Sequence, residues 1–144
     1  MEDAELTILI RQLFSDGRPR DRESALRDLA SRLGRRRLTG GLRSQLESAL
    51  RTAVRRGILQ NARGELSLLA RNFSDYEIPF LKSQFLPAIG RTWITRKAAG
   101  QRLARWLGYG RTGPVIEKTV CTLINSLLRS GQLEKEGADW IRRR

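Results

Sequence analysis

An internal repeat with a period of 74 residues limits the possible folds of this chain more than any other feature. Identical residues recur at this spacing at six places in one stretch of the first half, namely Arg22, Ala25, Leu29, Ala30, Leu33 and Gly34. Thr39-Gly40 returns as Thr112-Gly113 after a one-residue slip, and the original spacing then resumes at Arg55 and Gly57. Because the matches keep their order and their hydrophobic phase, the sequence predicts two copies of one unit, residues 1–71 and 72–144.

The composition is that of a folded chain rather than a disordered tail. Of the 144 residues, 40% are hydrophobic and 30% are charged, and there are 4 prolines. This balance is typical of globular proteins. Each predicted unit is close to the lower size limit for an independently stable domain.

The chain carries a net charge of +13 at pH 7, from 28 Lys+Arg and 15 Asp+Glu. The first half has 15 basic and 9 acidic residues and the second has 13 and 6, so both halves are basic. Such a surface attracts polyanions, which favours nucleic acid as a partner. The alternative is solvated surface charge, because 24 of the basic residues are Arg and excess charge does not by itself imply sequence recognition.

Cysteine and histidine usage excludes two kinds of site. Cys121 is the single cysteine and the chain has no histidine, so neither an intramolecular disulfide nor a Cys/His zinc site can form. No apolar run approaches the roughly 20 residues that cross a bilayer, and the start at 1–5 is acidic where a signal peptide would be basic. The sequence predicts a cytoplasmic protein that does not enter the membrane.

The sequence contains no recognisable catalytic centre. It has no histidine, no phosphate-cradling glycine motif and no spaced set of carboxylates beyond surface acids. We therefore predict no catalytic residues, no metal ligands and no cofactor. A carboxylate-metal nuclease is the one enzyme class that the surface acids leave open.

Hydrophobic spacing predicts three helices and a hairpin in the first unit. The first helix carries apolar residues three and four positions apart, at Leu6, Leu9, Ile10, Leu13 and Phe14. Asp21 is expected to cap a second helix that Gly34 ends. Thr39 is expected to cap a third helix that Gly57 ends, and residues 58–68 are predicted to form a β-hairpin.

The second unit repeats this order of elements. Its predicted elements are a helix near 79–89, a second helix between Thr95 and Gly108, a third helix between Pro114 and Gly131, and a hairpin at 132–141. Three helices followed by a hairpin is the order of a winged helix, and two helices joined by a tight turn match the helix-turn-helix. The predicted fold class is mainly α with short β-hairpins, arranged as two tandem winged helix-turn-helix units.

Several apolar residues of the two units are expected to be inside. We place Val54 and Val115 in the inward stripes of the third helices. Trp106 and Trp140 are expected in buried or interfacial positions, where core packing is favoured over base stacking. Cys121 is interpreted as a semi-buried packing residue.

The most basic segment of the first unit coincides with its third helix and the preceding turn. Residues 32–56 hold eight arginines and one acid. Arginine, serine and threonine suit phosphate positioning, and arginine also reads guanine. The alternative interpretation is a solvated helix face. The candidate DNA-binding residues of this unit are Arg35, Arg36, Arg37, Arg43, Ser44, Arg51, Thr52 and Arg55.

The second unit carries its basic residues earlier. Six positive charges and no acid lie between 91 and 111, and Arg96, Lys97 and Arg111 are the candidates for contacts with the DNA backbone. Its hairpin contains three acids, Glu134, Glu136 and Asp139, and is expected to avoid phosphate. The second copy is equally compatible with a role in binding protein.

One motif of the second unit resembles a known family. The stretch Ala104-Arg105-Trp106-Leu107-Gly108-Tyr109-Gly110-Arg111-Thr112-Gly113, a long amphipathic helix and Arg129-Ser130-Gly131-Gln132-Leu133 together resemble the C-terminal domain of unknown function of large bacterial helicase and endonuclease-like proteins. The first copy is similar to a degenerate version of it. The resemblance implies a bacterial accessory module of DNA processing or defence, with a larger helicase or nuclease protein as a partner. The chain lacks any helicase or nuclease part, which leaves open whether it is free-standing or excised.

These observations lead to a functional hypothesis. We expect the chain to bind double-stranded DNA through tandem winged helices, as a regulator or a targeting module. The main alternative is a protein-interaction or assembly domain that docks a larger enzyme or forms a homodimer. A third possibility is structured RNA as the ligand.

Overall fold

The chain is mainly helical, with two small sheets. The computed structural model describes residues 3–144, which form six α-helices, one short 3-10 helix and six β-strands. The strands make two three-stranded antiparallel sheets. The prediction of a mainly helical chain with short β-hairpins is confirmed.

The chain divides into two compact units. One comprises Met1–Arg71 with Leu107–Tyr109, and the other comprises Asn72–Trp106 with Gly110–Arg144. The elements of the first unit are α1 (Asp3–Phe14), β1 (Arg20–Asp21), α2 (Arg22–Arg32), α3 (Gly40–Arg56), β2 (Leu59–Ala62) and β3 (Glu65–Leu68). Those of the second are the 3-10 helix (Phe73–Asp75), α4 (Ile78–Ile89), β4 (Ile94–Thr95), α5 (Arg96–Trp106), α6 (Pro114–Arg129), β5 (Leu133–Glu136) and β6 (Trp140–Arg143).

The middle helix of each unit begins at a side-chain cap. The Asp21 carboxylate accepts a hydrogen bond from the backbone N–H of Ser24 at 2.7 Å, at the start of α2. The hydroxyl of Thr95 accepts one from the backbone N–H of Ala98 at 3.2 Å, at the start of α5. Each cap satisfies an amide that the helix leaves without a partner. Both predicted caps are confirmed.

The third helix of the first unit also has the predicted ends. The Thr39 hydroxyl accepts a hydrogen bond from Leu42 N–H at 3.3 Å, and α3 follows directly. Gly57 closes the helix in a left-handed conformation, with φ of 81°, which glycine adopts at little cost. The α6 helix begins at Pro114, whose fixed φ suits the first turn of a helix.

Each sheet contains a two-residue strand that the sequence analysis does not predict. In the first unit β1 pairs with β3, Arg20 opposite Leu66, and β3 also pairs with β2. In the second unit β4 pairs with β6, Ile94 opposite Ile141. A two-residue strand is too short to show an alternating pattern, so its pairing partner far along the chain defines it.

The turns of the two hairpins differ by one residue. The first turn has positive φ at both Arg63 and Gly64, 55° and 83°, which is the requirement of a type I′ turn. Leu59 lies opposite Leu68, whereas its repeat counterpart Leu133 lies opposite Arg143. Beyond the turn, equivalent positions of the two units are therefore 75 residues apart instead of 74.

The core of the first unit forms around one face of α3. Leu46, Leu50 and Ala53 are at most 2% exposed, and they pack in one cluster with apolar residues of α1 and α2. Val54, expected inside, is 37% exposed, because each helical residue turns the side chain by about 100° away from its neighbour. The first turn of α6 gives the same correction, since Ile116 is buried and Val115 is 57% exposed.

A buried arginine explains why Leu107–Tyr109 belong to the first unit, although the sequence analysis assigns them to the second. Arg11 is 7% exposed, and its guanidinium donates to the carbonyl oxygens of Leu107 at 2.7 Å and Ala70 at 2.9 Å. It also lies 4.1 Å from the centre of the Tyr109 ring. A Cβ atom at Gly108 would lie 2.7 Å from the Thr7 carbonyl oxygen, so no larger residue fits there.

Replacement of Leu50 by alanine tests the importance of the α3 core face. We expect Leu50→Ala to lower the free energy of unfolding by about 2–5 kcal/mol, because a buried cavity replaces the side chain. Urea unfolding followed by circular dichroism measures the change. Val54→Ala on the same helix is the matched control, with an expected loss below about 1 kcal/mol; equal losses would contradict this assignment of faces.

Candidate nucleic-acid interface

The face of α3 opposite the core is exposed and polar. Its members recur at spacings of three and four: Gly41, Ser44, Gln45, Ser48, Arg51 and Arg55. Thr52 lies at the edge of this face and is half-buried. Because the core holds the other side of the helix, these side chains must point to solvent. Ser44, Arg51 and Arg55, which the sequence analysis selects as DNA-binding candidates, share this face.

The turn between α2 and α3 adds three exposed arginines, Arg35, Arg36 and Arg37. Beside it is an open cleft of about 510 Å³. The residues that line this cleft are Arg27, Ala30, Ser31, Gly34, Arg35, Arg36 and Leu38. It contains no acidic side chain.

Five arginines of this region have no acidic partner. We call Arg35, Arg36, Arg37, Arg51 and Arg55 the basic face. Among the side chains that the structure describes, no carboxylate oxygen lies within 4.0 Å of their guanidinium nitrogens. Their positive charge is therefore not neutralised within the described chain.

Arg43, also a candidate, is engaged within the unit instead. Its guanidinium forms two parallel hydrogen bonds with the Glu23 carboxylate, at 2.8 and 2.9 Å, and a third with Glu47 at 3.3 Å. The bonds with Arg43 lower the pKa of Glu23, and the two carboxylates raise the pKa of Arg43. This arrangement ties α2 to α3 and leaves little unsatisfied charge on Arg43.

The sequence analysis overlooks a second arginine of this kind, Arg20. Its side chain bonds to Asp16 at 2.7 Å and to Asp28 at 2.9 Å, and it lies 5.2 Å from the centre of the Phe14 ring. The hydrogen bond from Arg20 is the main reason that the pKa of Asp16 falls to about 2. The only sequence signal is the spacing of Asp16 and Arg20, which does not distinguish a loop from a helix. Arg20 joins the loop after α1 to β1 and α2.

The candidates of the second unit have different environments. Arg96 donates to the carbonyl oxygen of Ala138 in the hairpin turn at 3.0 Å and to the Asn125 side chain on α6 at 3.5 Å. It therefore fastens the hairpin turn to α6. Lys97 and Arg111 are exposed, and no described carboxylate pairs with either.

Three further residues of the second unit differ from expectation or refine it. Trp140 is 48% exposed and Cys121 is exposed, so neither is a packing residue of the core. Both belong to the solvent side of their elements, one position away from a buried neighbour. Trp106 is half-buried, and its indole N–H donates to the Gln84 side chain at 2.9 Å.

Metal and membrane features were also considered. Among residues 3–144 no group of three or more acidic, cysteine or histidine side chains lies close enough together to hold a metal ion. No helix in the described range has both the length and the apolarity needed to cross a bilayer.

A scan against protein-family models finds no match for this chain, and searches of curated proteins and of solved structures find none either. The resemblance to the C-terminal domain of helicase and endonuclease-like proteins therefore stays a prediction. The functional argument depends on the chemistry and placement of the side chains.

Replacement of Arg43 tests its intramolecular role. We expect Arg43→Gln to lower the melting temperature slightly at pH 7, because Glu23 and Glu47 lose their partner, whereas Arg51→Gln on the same helix should not. Arg43 depresses the pKa of Glu23 below its ordinary 4.5, so its stabilisation is complete above that pH and disappears as the pH falls through the lowered value. Calorimetry of both variants between pH 7 and 2 measures this; a difference that persists at pH 2 would contradict the assignment.

Proposed function

We propose that this chain binds double-stranded DNA through its first unit, with α3 as the helix that enters the major groove. The observation that carries the proposal is the basic face, five arginines without acidic partners on the exposed side of α3 and on the turn before it. The major groove is wide enough to admit an α-helix. A helix whose other side is held in a core can be inserted without unfolding the unit.

We further propose that each unit is a winged helix. In support, both units have the same order of helix, short strand, two helices and hairpin, and in both the short strand pairs with the last strand. The seven-residue connections at 33–39 and 107–113 join the second helix to the third. In a helix-turn-helix, the later of these two helices contacts the bases.

The chemistry of the α3 face suits both kinds of DNA contact. Arg51 and Arg55 carry the rigid donor fork that pairs with guanine O6 and N7, and Gln45 can pair with adenine in the same way. Ser44, Ser48 and Thr52 can bond to phosphates or bases. Arg35–Arg37 precede the helix and suit the phosphate backbone. The proposal thus assigns base recognition to α3 and positioning to the turn.

The hairpin of the first unit adds one more contact. Arg63 is the one non-glycine residue with positive φ among the described residues, and it is exposed at the hairpin tip. This conformation costs an arginine roughly 1–2 kcal/mol, a cost that asparagine or glycine would largely avoid. Such strain is found where a side chain has a function. We propose that Arg63 contacts DNA beside the groove that α3 occupies.

The biological role that fits is a regulator or a targeting module that brings a larger helicase or nuclease protein to DNA. The second unit supports this division of labour, because the exposed side of α6 is nearly neutral. It presents Val115, Cys121, Thr122 and Asn125 among its exposed residues. A face of this kind suits a protein partner better than phosphate, and Val115 is the most exposed of the large apolar side chains described.

Anisotropy of a labelled random-sequence duplex, titrated across a salt series, tests the DNA proposal. We expect Arg36→Gln/Arg37→Gln to weaken binding about tenfold and to reduce the salt slope by about 1 for each arginine removed. The matched control is Arg18→Gln/Arg71→Gln, which removes the same charge from loops outside the basic face and should bind as the wild type does.

Two results would contradict the proposal. If the control pair weakens binding as much as the test pair does, only net charge matters. If the wild type does not bind duplex DNA at low salt, the first unit is not a DNA-binding module, and the protein-docking function takes its place. Competition with duplex RNA of the same length separates the two nucleic acids.

Replacement of Arg63 by asparagine separates stability from binding. We expect Arg63→Asn to raise the free energy of unfolding by about 1 kcal/mol, because asparagine tolerates the left-handed turn. DNA affinity should nevertheless fall several-fold in the same anisotropy assay. Arg63→Lys keeps both the charge and the strain and should retain most of the affinity; a stabilised Arg63→Asn protein with wild-type affinity would place the tip outside the interface.

A further inference from the structure

The second unit contains an arginine cluster that neither the sequence analysis nor the proposed function uses. A cleft of about 410 Å³ is lined by Arg91, Arg142, Arg143 and Arg144, together with Glu134. Arg91 belongs to the loop after α4, and the other three lie at the end of β6 and directly after it. The side chains around the cleft carry a net charge of +3.

One of these arginines is fixed in place. Arg142 forms an ion pair with Glu134 on the neighbouring strand β5, and its guanidinium lies 4.5 Å from the centre of the Trp93 ring. The ion pair and the ring contact hold the guanidinium in one orientation at the edge of the cleft. The single acid of the cleft is therefore already paired.

The other three arginines have no such partner. No described carboxylate lies within 4.0 Å of a guanidinium nitrogen of Arg91, Arg143 or Arg144. Arg91 and Arg144 are exposed and Arg143 is half-buried. The backbone N–H of Arg144 donates to the Gln132 carbonyl oxygen at 3.1 Å, which keeps this residue beside the sheet. Like charges held this close repel one another unless an anion lies between them.

The repeat shows that the fold itself does not require these arginines. The strand register makes Leu68 the counterpart of Arg143. Leu69 is the counterpart of Arg144, because its N–H bonds to the Ile58 carbonyl oxygen as that of Arg144 bonds to Gln132. The cleft at this place in the first unit is lined by Phe14, Ser15, Gly17, Ser67, Leu68 and Arg71. The same backbone thus exists with leucines at two positions that hold arginine in the second unit.

We propose that this arginine cleft binds the phosphodiester backbone of a nucleic acid, as an anion site separate from the basic face of the first unit. Guanidinium groups match phosphate oxygens with paired hydrogen bonds, and several of them along one strand end can contact successive phosphates. Such contacts carry no sequence preference. The cleft shares its ligand class with the proposed function but none of its residues.

The full chain and the Arg91→Gln/Arg143→Gln variant are compared by anisotropy with two duplexes of different sequence, across a salt series. We expect about tenfold weaker binding to both duplexes and a salt slope reduced by about 2. The matched control, Lys118→Gln/Arg129→Gln, removes the same charge from the exposed side of α6 and should leave affinity unchanged. Circular dichroism checks folding, and Arg91→Gln/Arg144→Gln replaces the test variant if Arg143→Gln unfolds the unit.

Comparison with the basic-face variant Arg36→Gln/Arg37→Gln separates the two hypotheses. If the cleft variant alone loses affinity, the present inference stands and the proposed role of the first unit is wrong. If the basic-face variant alone loses affinity, the cleft does not bind nucleic acid and the inference is wrong.

Calorimetric titration with inorganic pyrophosphate tests the other source of phosphate. Pyrophosphate that binds the wild type at micromolar concentration and not the cleft variant, while the two proteins bind DNA equally, would show a site for a small phosphate ligand. That result would overturn the assignment to a nucleic-acid backbone.

Discussion

The rest of the structure depends on the burial of one apolar face of the third helix in each unit. In the first unit Leu46, Leu50 and Ala53 lose nearly all contact with water, and this sets the rotation of α3 about its own axis. Once the rotation is set, Arg51 and Arg55 have to face solvent. Fixed rotation is also what allows Arg43 to meet Glu23 across the two helices. A hydrophobic constraint thereby determines which polar residues are available to a partner.

The sequence predicts features that are decided locally and misses those that depend on distant residues. Asp21, Thr39 and Thr95 cap helices through bonds three residues along the chain, so their roles are visible in the sequence. The strands β1 and β4 are not visible, because their partners lie more than 40 residues away. The same limit applies to the site. Exposed positions on α3 follow from helical spacing, whereas the ion pairs of Arg43 and the bonds of Arg96 require knowledge of the packing.

The two copies share a backbone plan but not a surface. The first unit has its unpaired arginines on the turn before α3, and the second has them where its sheet ends. Leucines at the corresponding sheet end of the first unit show that either chemistry is compatible with the fold. Duplication relieved each copy of the need to keep every contact, since a function held by one could be lost from the other. Surface charge then diverged while the cores kept their pattern of buried positions.

The buried guanidinium of Arg11 makes the sequence repeat and the folding unit different objects. It is bound by the carbonyl oxygens of Ala70 and Leu107, and the second of these lies 36 residues beyond the end of the first repeat. A chain cut at residue 71 would leave this cation buried with half of its acceptors removed, an expensive state for any protein interior. The first copy has thus become dependent on a short segment borrowed from the second. The repeats entered the chain as interchangeable cassettes, and they are no longer cassettes that can be excised or shuffled one at a time.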